Sequence, residues 1–216
     1  MADFSHELKT PLTAISGYAQ TLRTVKLSEE DREEALGYIY TEIKRLDRLA
    51  KKMMRLMQLD SEESLQMLPV DNKQLLRAVI ETCKPAAEQK GVALRTGECG
   101  GTVRGDFDLL HDAMCNLADN AIKASGPGQT VILSASDDAL TVTDEGCGIP
   151  KDEIKNLTEP FYMVDKSRSR QSGGAGLGLS LVKRIAQLHG AELEIESTVG
   201  EGTTVKLHFV YTPLNT

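Results

Sequence analysis

The chain has 216 residues, 40% of them hydrophobic and 26% charged, with a formal net charge of -7. That length holds one large or two modest domains, and the balance is that of an ordinary soluble globular protein. An acidic chain excludes nonspecific nucleic-acid binding, no stretch reaches the roughly 20 apolar residues of a membrane span, and the scarcity of aromatics excludes an aromatic-rich recognition surface. The four cysteines, Cys83, Cys99, Cys115 and Cys147, show neither close pairing in sequence nor metal-ligand spacing with histidine. They read as reduced thiols, three of them buried.

Met1, Phe4, Leu8, Pro11, Ile15, Tyr18, Leu22 and Val25 recur every three or four residues, predicting a helix that packs on other helices. His6, beside Glu7, falls opposite that seam and is displayed rather than packed. Pro11 cannot donate to the Glu7 carbonyl, which predicts a bend beyond His6. After a break near Thr24 to Leu27, Ser28 reads as an N-cap with Glu29, Glu30 and Asp31 in the first turn. Leu36, Ile39, Ile43, Leu46, Ala50, Met53 and Met57 then continue the same spacing. Two such helices make an antiparallel hairpin, and a second copy would close a four-helix bundle, so a homodimer is expected. Residues 60 to 68 are polar and Pro69 follows, which reads as a linker between a unit at 1–64 and another at 69–216.

The second unit has a different texture. Helices are predicted at Lys73 to Gln89, Leu109 to Ala124 and Leu177 to His189. Strands are predicted at Val92 to Thr96, Thr102 to Arg104, Thr130 to Ala135, Leu140 to Thr143, Glu192 to Ser197 and Thr203 to Val210. The expected fold is multidomain: a helical hairpin followed by an α+β sandwich, a mixed sheet with helices on one face.

Three groups of residues suit nucleotide chemistry. Asn116, Asn120 and Lys123 share a helix face, where an amide oxygen can ligate Mg2+ and the lysine can offset phosphate charge. Asp144 ends a strand and is followed by Gly146, Gly148 and Ile149. An acid there can accept from an exocyclic amine, while glycines admit a flat base to the backbone. Gly174, Gly176, Leu177, Gly178 and Leu179 open a helix whose free N–H groups can hold phosphate oxygens. The dinucleotide fingerprint is absent because no strand precedes these glycines, and no P-loop ending occurs.

Taken in order, His-Glu-Leu-Lys-Thr-Pro at 6–11, Asn-x-x-x-Asn-Ala-x-Lys at 116–123, Asp-x-Gly-x-Gly at 144–148, Glu-Pro-Phe-Tyr at 159–162 and Gly-x-Gly-x-Gly-Leu at 174–179 resemble the catalytic core of bacterial two-component sensor histidine kinases. The resemblance extends from Phe4 to about Phe209. It implies a dimerisation and histidine-phosphotransfer hairpin, then an ATP-binding domain of the gyrase, chaperone and kinase type. His6 matches the phosphoacceptor and Glu7 the acid that activates it. Thr10, with Glu7, matches a pattern linked to dephosphorylation of a response regulator. Asn120 matches the magnesium ligand and Asp144 the acceptor of the adenine amino group. Tyr162 matches the start of a lid whose Lys166, Arg168 and Arg170 reach the phosphates, and Thr204 is expected at the border of the adenine pocket. The implied cofactors are ATP and Mg2+, and the implied partner is a response regulator receiver domain. This fragment is expected in the cytoplasm, with membrane attachment only through a sensor region upstream.

Two departures carry information. ATP-hydrolysing relatives place a glutamate where this chain has Asn116, a poor base for activating water, which favours transfer to histidine over hydrolysis. Ala124 replaces an aromatic residue frequent in the family, so weaker packing on the nucleotide is expected. The rival readings are a degenerate binding module, disfavoured by intact His6, Glu7, Asn120 and Asp144, and an ATPase-driven clamp, disfavoured by Asn116 and the His-bearing hairpin.

Overall fold

The computed structural model describes the backbone of residues 2–60, 65–164 and 176–210, and their side chains except at 2–7 and 60. Helix α1, Ala2–Thr24, continues through Pro11, which is buried. Ser28 then caps α2, Glu29–Asp60, by accepting from the Asp31 N–H at 3.1 Å and donating to its carboxylate at 2.6 Å. This satisfies one of the donors a helix start leaves open. Tyr18 stacks on Tyr38 across the hairpin with ring centroids 5.1 Å apart.

The apolar stripe of α2 divides in two. Ala35, Leu49 and the charged Arg45 are buried, whereas Leu36, Ile43 and Met57 stay 43%, 50% and 63% exposed. The stripe is wider than one neighbouring helix can cover, so α1 takes one edge and the other is left open.

The second unit opens with a strand that sequence reading placed in a linker. β1, Leu68–Asp71, pairs antiparallel with β3, Thr102–Gly105, as a separate two-stranded ribbon. Pro69 is tolerated because it lies in an edge strand with one partner. Asp71 caps α3, Asn72–Lys90, by accepting from the Gln74 N–H, and left-handed Gly91 ends it. Such a glycine directs its N–H back to the last carbonyls. After α3, β2, Ala93–Cys99, begins the main sheet.

Asp106 caps α4, Phe107–Ala124, by accepting from the Asp108 and Leu109 N–H groups. There follow β4, Thr130–Ala135, β5, Ala139–Asp144, a single-turn α5, Lys151–Ile154, then α6, Gly178–Leu188, β6, Ala191–Thr198, and β7, Gly202–Phe209. The five-stranded sheet has the order β2-β4-β5-β7-β6, with β2 and β4 parallel and the remaining pairs antiparallel. Helices α3, α4 and α6 cover one face. Leu76 and Val79 of α3, Leu110 and Met114 of α4, and Ile185 of α6 meet Val131, Leu133, Leu140 and Leu207 of the sheet, all essentially inaccessible to solvent. Each such side chain contributes about 1.5–3 kcal/mol on burial. The edge strand β6 alternates, with Glu192, Glu194 and Glu196 exposed.

A buried histidine ties two of these helices together. His189, just past the end of α6, donates from Nδ1 to the Ile185 carbonyl at 2.8 Å, and its Nε2 accepts from the Asp106 N–H at 3.0 Å. The neutral ring is the only form that serves both bonds, and burial pushes its pKa below the ordinary 6.5.

Candidate active site

Central strand β5 delivers Asp144 to the floor of a cleft between the sheet and α4. The carboxylate is 7% exposed and accepts from the Gly146 N–H at 2.8 Å. Burial raises its pKa above the ordinary 3.8, while backbone N–H bonds from Gly146 and Thr203 pull the other way. The glycines beside it are required by close approach. A Cβ on Gly146 would lie 2.8 Å from the Ala124 carbonyl, and one on left-handed Gly148 would lie 2.0 Å from the Thr198 carbonyl oxygen.

The cleft has a volume of about 90 Å³. Leu117, Val142, Leu157, Leu179, Ile195 and Val205 give it apolar walls, and Asn120, Asp144 and Thr203 give it polar edges. Gly148 and Ile149 also line it, the latter held by donation of its N–H to Ser197 Oγ at 2.8 Å. A narrow apolar slot with one buried acceptor at its base fits a flat heteroaromatic ring carrying an amino group.

Where the cleft opens, α6 begins against α4. A Cβ on Gly178 would sit 3.5 Å from Asn116 Oδ1 and 3.6 Å from Asn120 Nδ2. Among the described residues no side chain caps the start of α6, and the first N–H groups and positive dipole end of a helix suit an anion. Gly178 and Asn120 therefore bring together the glycine stretch and the amide face of α4. Leu179 lines the slot, whereas Leu177 is 1% exposed and serves packing.

The remaining expected site residues fall into three groups. Thr204 faces away from the slot, with its hydroxyl 3.1 Å from that of Thr143; Thr203 is the residue on the cleft side. This corrects the sequence reading, and the reason is strand alternation: Thr203, Val205 and Leu207 point inward, so Thr204 points outward. Lys123 is tied to Asp119 at 2.7 Å rather than reaching into the slot, and the Tyr162 hydroxyl donates to Glu153. Phe161 adopts φ 68° and donates its N–H to the Gly176 carbonyl at 2.9 Å, with Gly176 itself at φ 67°. Thr10 is half-buried on α1, which also carries His6 and Glu7. The side chains of His6 and Glu7 lie outside the described residues, as do Lys166, Arg168, Arg170 and Gly174 entirely.

Sequence reading missed a set of contacts from the hairpin. The Lys52 ammonium of α2 donates to Asn116 Oδ1 at 2.8 Å, Arg55 pairs with Asp112 at 3.0 Å, and Arg184 of α6 donates to the Leu59 carbonyl at 3.3 Å. Leu56, Leu59 and Leu65 pack against the core beside them. Desolvation lowers the Lys52 pKa from its ordinary 10.5, opposed by the nearby Asp119. The thiols also differ from expectation: only Cys83 is buried, Cys99 and Cys115 are half-buried and Cys147 is exposed.

Residues 105–213 match the family of histidine kinase-, DNA gyrase B- and HSP90-like ATPases, and residues 1–62 match the His Kinase A (phospho-acceptor) domain. The chain belongs to the two-component sensor histidine kinases. It is 35% identical over 212 residues to sensor histidine kinase YkoH of Bacillus subtilis, covering 96% of this chain and 46% of that protein. It is 31% identical over 215 residues to sensor protein SrrB of Staphylococcus aureus, covering 94% of this chain and 36% of that one. The kinase core thus spans less than half the length of either relative. Among solved structures it is similar to full-length ShkA in complex with AMPPNP (TM-score 0.67, 28% identity, 99% of this chain and 46% of that chain). It shares the fold of histidine kinase ThkA in complex with response regulator protein TrrA (TM-score 0.78, 20% identity, 98% of this chain and 61% of that chain). Among the described residues no helix is long and apolar enough to cross a membrane.

Proposed function

We propose that the kinase core binds ATP in the Asp144 slot, transfers the γ-phosphoryl group to His6, and passes it to an aspartate of a response regulator receiver domain. The observation that carries this reading is the alignment of Asp144 at the base of an apolar slot with Asn120, Gly178 and the uncapped start of α6 at its mouth. In it, Asp144 accepts from the adenine amino group, the α6 N–H groups hold phosphate oxygens, and Glu7 draws the proton of the His6 ring so that the other nitrogen can attack. Transfer breaks the bond between the γ-phosphorus and the β,γ-bridging oxygen and leaves ADP. Asn116 lacks the basicity to activate water, which keeps the phosphoryl group for histidine.

The exposed Asn120 amide beside Gly178 is a neutral hard-oxygen donor, which suits a magnesium ion that completes its shell with water and phosphate oxygens. When bound, that ion offsets the charge of the phosphates. Residues 1–64 act as the dimerisation and phosphotransfer unit and residues 69–216 as the ATP-binding unit. The open α2 stripe of Leu36, Ile43 and Met57 supports a second copy as its cover. Thr10, next to the phosphorylated region of α1, positions water when the same core dephosphorylates the regulator.

The deciding experiment is incorporation of γ-labelled phosphate from Mg-ATP into the chain and its His6→Gln variant. Acid-labile label that disappears in the variant supports the proposal. Label retained in His6→Gln, or nucleotide bound without any labelling, rejects it.

A further inference from the structure

The face of the main sheet turned away from the helices carries its own cluster of ionisable groups. Leu207 and Phe209 of β7 point into the core, so strand alternation turns Lys206 and His208 to the opposite face. On edge strand β6, Glu192 stands directly across from His208, and Glu194 directly across from Lys206. Opposed side chains on one face are neighbours, and diagonal ones stay within reach when the side chains are long. One oxygen from each of Glu192 and Glu194 and one ring nitrogen of His208 accordingly lie within 4.8 Å of one another. Both glutamates are exposed and the imidazole is half-buried, so the cluster opens to solvent. His208 is addressed from both ends: its Nδ1 is 3.7 Å from Glu194 Oε1 and its Nε2 is 3.8 Å from Asp138 Oδ2. Asp138 lies in the β4–β5 turn, where its carbonyl accepts from the Phe209 N–H at 2.7 Å and its carboxylate from Ser136 Oγ at 2.6 Å. The Ser136 bond holds that carboxyl below its ordinary 3.8, with smaller help from His208 and Lys206. Lys206 orients the other acid, its ammonium 3.7 Å from Glu194 Oε2.

We propose that Glu192, Glu194 and His208 form a zinc site that clamps edge strand β6 to β7. The 3.7 Å between Nδ1 and Oε1 is too long for a hydrogen bond. It is close to the roughly 3.3 Å that separates two ligand atoms around a tetrahedral zinc ion with bonds of about 2.0–2.1 Å. His208 ligates through Nδ1, each glutamate through one oxygen, and water completes the tetrahedron. Asp138 faces Nε2 and takes its proton in a hydrogen bond, which fixes the tautomer that leaves the Nδ1 lone pair to the metal. Torsions of two exposed glutamate side chains close the remaining distance without moving the strands. Asp138, Glu192 and Glu194 are set against the one ammonium of Lys206, so the local charge attracts a dication. An imidazole with two carboxylates selects zinc over magnesium, which prefers six oxygens. Ile195 and Val205, on the same two strands, line the Asp144 slot. Alternation puts them on the other face of the sheet, so the zinc site is separate from the ion that accompanies nucleotide.

The test titrates zinc chloride into the full chain by isothermal calorimetry, without nucleotide or chelator, and follows amide hydrogen exchange with and without the metal. One zinc should bind per chain, and exchange should slow along β6 and β7. His208→Ala and Glu194→Gln should each weaken binding about tenfold or more, and Asp138→Asn about tenfold through the second ring nitrogen. Millimolar magnesium should not compete. Glu196→Gln, on the same face of β6 but outside the triad, should bind zinc as the parent does. These side chains lie on the open face of the sheet, so the variants keep the core intact. Zinc bound equally well by His208→Ala, or protection by zinc of a cysteine-bearing segment instead of β6 and β7, would overturn the proposal. So would equal losses in Glu194→Gln and Glu196→Gln, the mark of diffuse charge attraction, or no binding heat at sub-millimolar zinc.

Discussion

Lys52 of the hairpin and Asn116 of α4 are joined by a 2.8 Å hydrogen bond across 64 positions of sequence. The ammonium has lost part of its hydration and is held beside Asp119, so the bond forms in a medium where a missing partner is costly. In a double-mutant cycle of Lys52→Met and Asn116→Ala, urea unfolding should give a coupling of about 1–2 kcal/mol. The exposed Lys51–Asp47 pair on the same helix should give a smaller coupling that vanishes in salt. Equal, salt-sensitive couplings for both pairs would show that Lys52 is solvated.

Asp144→Asn separates binding from folding. The native carboxylate is held above its ordinary pKa by burial, so the folded state binds more protons than the unfolded chain between 3.8 and the raised value. Stability contributed at this site therefore falls as pH rises through that window, and the charged form at neutral pH is a net cost. The asparagine variant should be as stable as the parent or more so at pH 7. Its ATP affinity should fall about tenfold or more, because one carbonyl oxygen must now serve both the Gly146 N–H and the adenine amine. Calorimetry of binding and thermal unfolding on the same sample checks both halves.

Gly176 and Gly178 should fail in different ways when changed to alanine. At Gly176 the backbone is left-handed and a Cβ would lie 2.6 Å from the Phe161 carbonyl carbon, so the fold should lose about 1–3 kcal/mol. At Gly178 a Cβ meets only ordinary contacts of 3.5 Å and more, so unfolding should barely change. Nucleotide affinity should nonetheless drop, since the added methyl fills the space between α6 and the Asn face. Loss of stability at Gly178 with intact binding would contradict the assigned phosphate path.

His189 predicts a pH dependence of opposite sign to that of Asp144. Its pKa is depressed below 6.5 by burial, so the unfolded chain binds more protons between the depressed value and 6.5. Stability is full above 6.5, falls as pH drops through that window, and levels off below it. Urea titrations at pH 7 and 5.5 should show this loss in the parent chain. In His189→Gln, whose amide can keep one of the two backbone bonds, the pH difference should shrink while stability at pH 7 falls.

Much of the fold was legible because helix and strand periods in this chain are clean. Every predicted helix and strand of the second unit is found within a few residues of its expected ends. Two elements were not legible for physical reasons. β1 contains Pro69, whose lost N–H argues against a strand unless that strand is an edge, and edge position is a tertiary fact. α5 is a single turn with no periodicity to detect. In the candidate site, Asn120, Asp144 and Gly148 line one cleft, and all three stood in motifs picked out by order and spacing. Thr203 could have been chosen over Thr204 by counting alternation back from Leu207. The contacts of Lys52 and Arg55 had no such signal, because in sequence both are ordinary charges on a long amphipathic helix.

The row of Glu192, Glu194 and Glu196 along β6 bears on how the sheet ends. Among the described residues β6 has β7 on one side and no strand on the other, leaving backbone donors and acceptors that another chain's strand could extend. Three carboxylates on its outer positions would oppose their own images in any copy that tried to add there, and desolvating them would cost more than the new hydrogen bonds return. Charge rather than cover thereby guards the exposed side of β6 among the described residues.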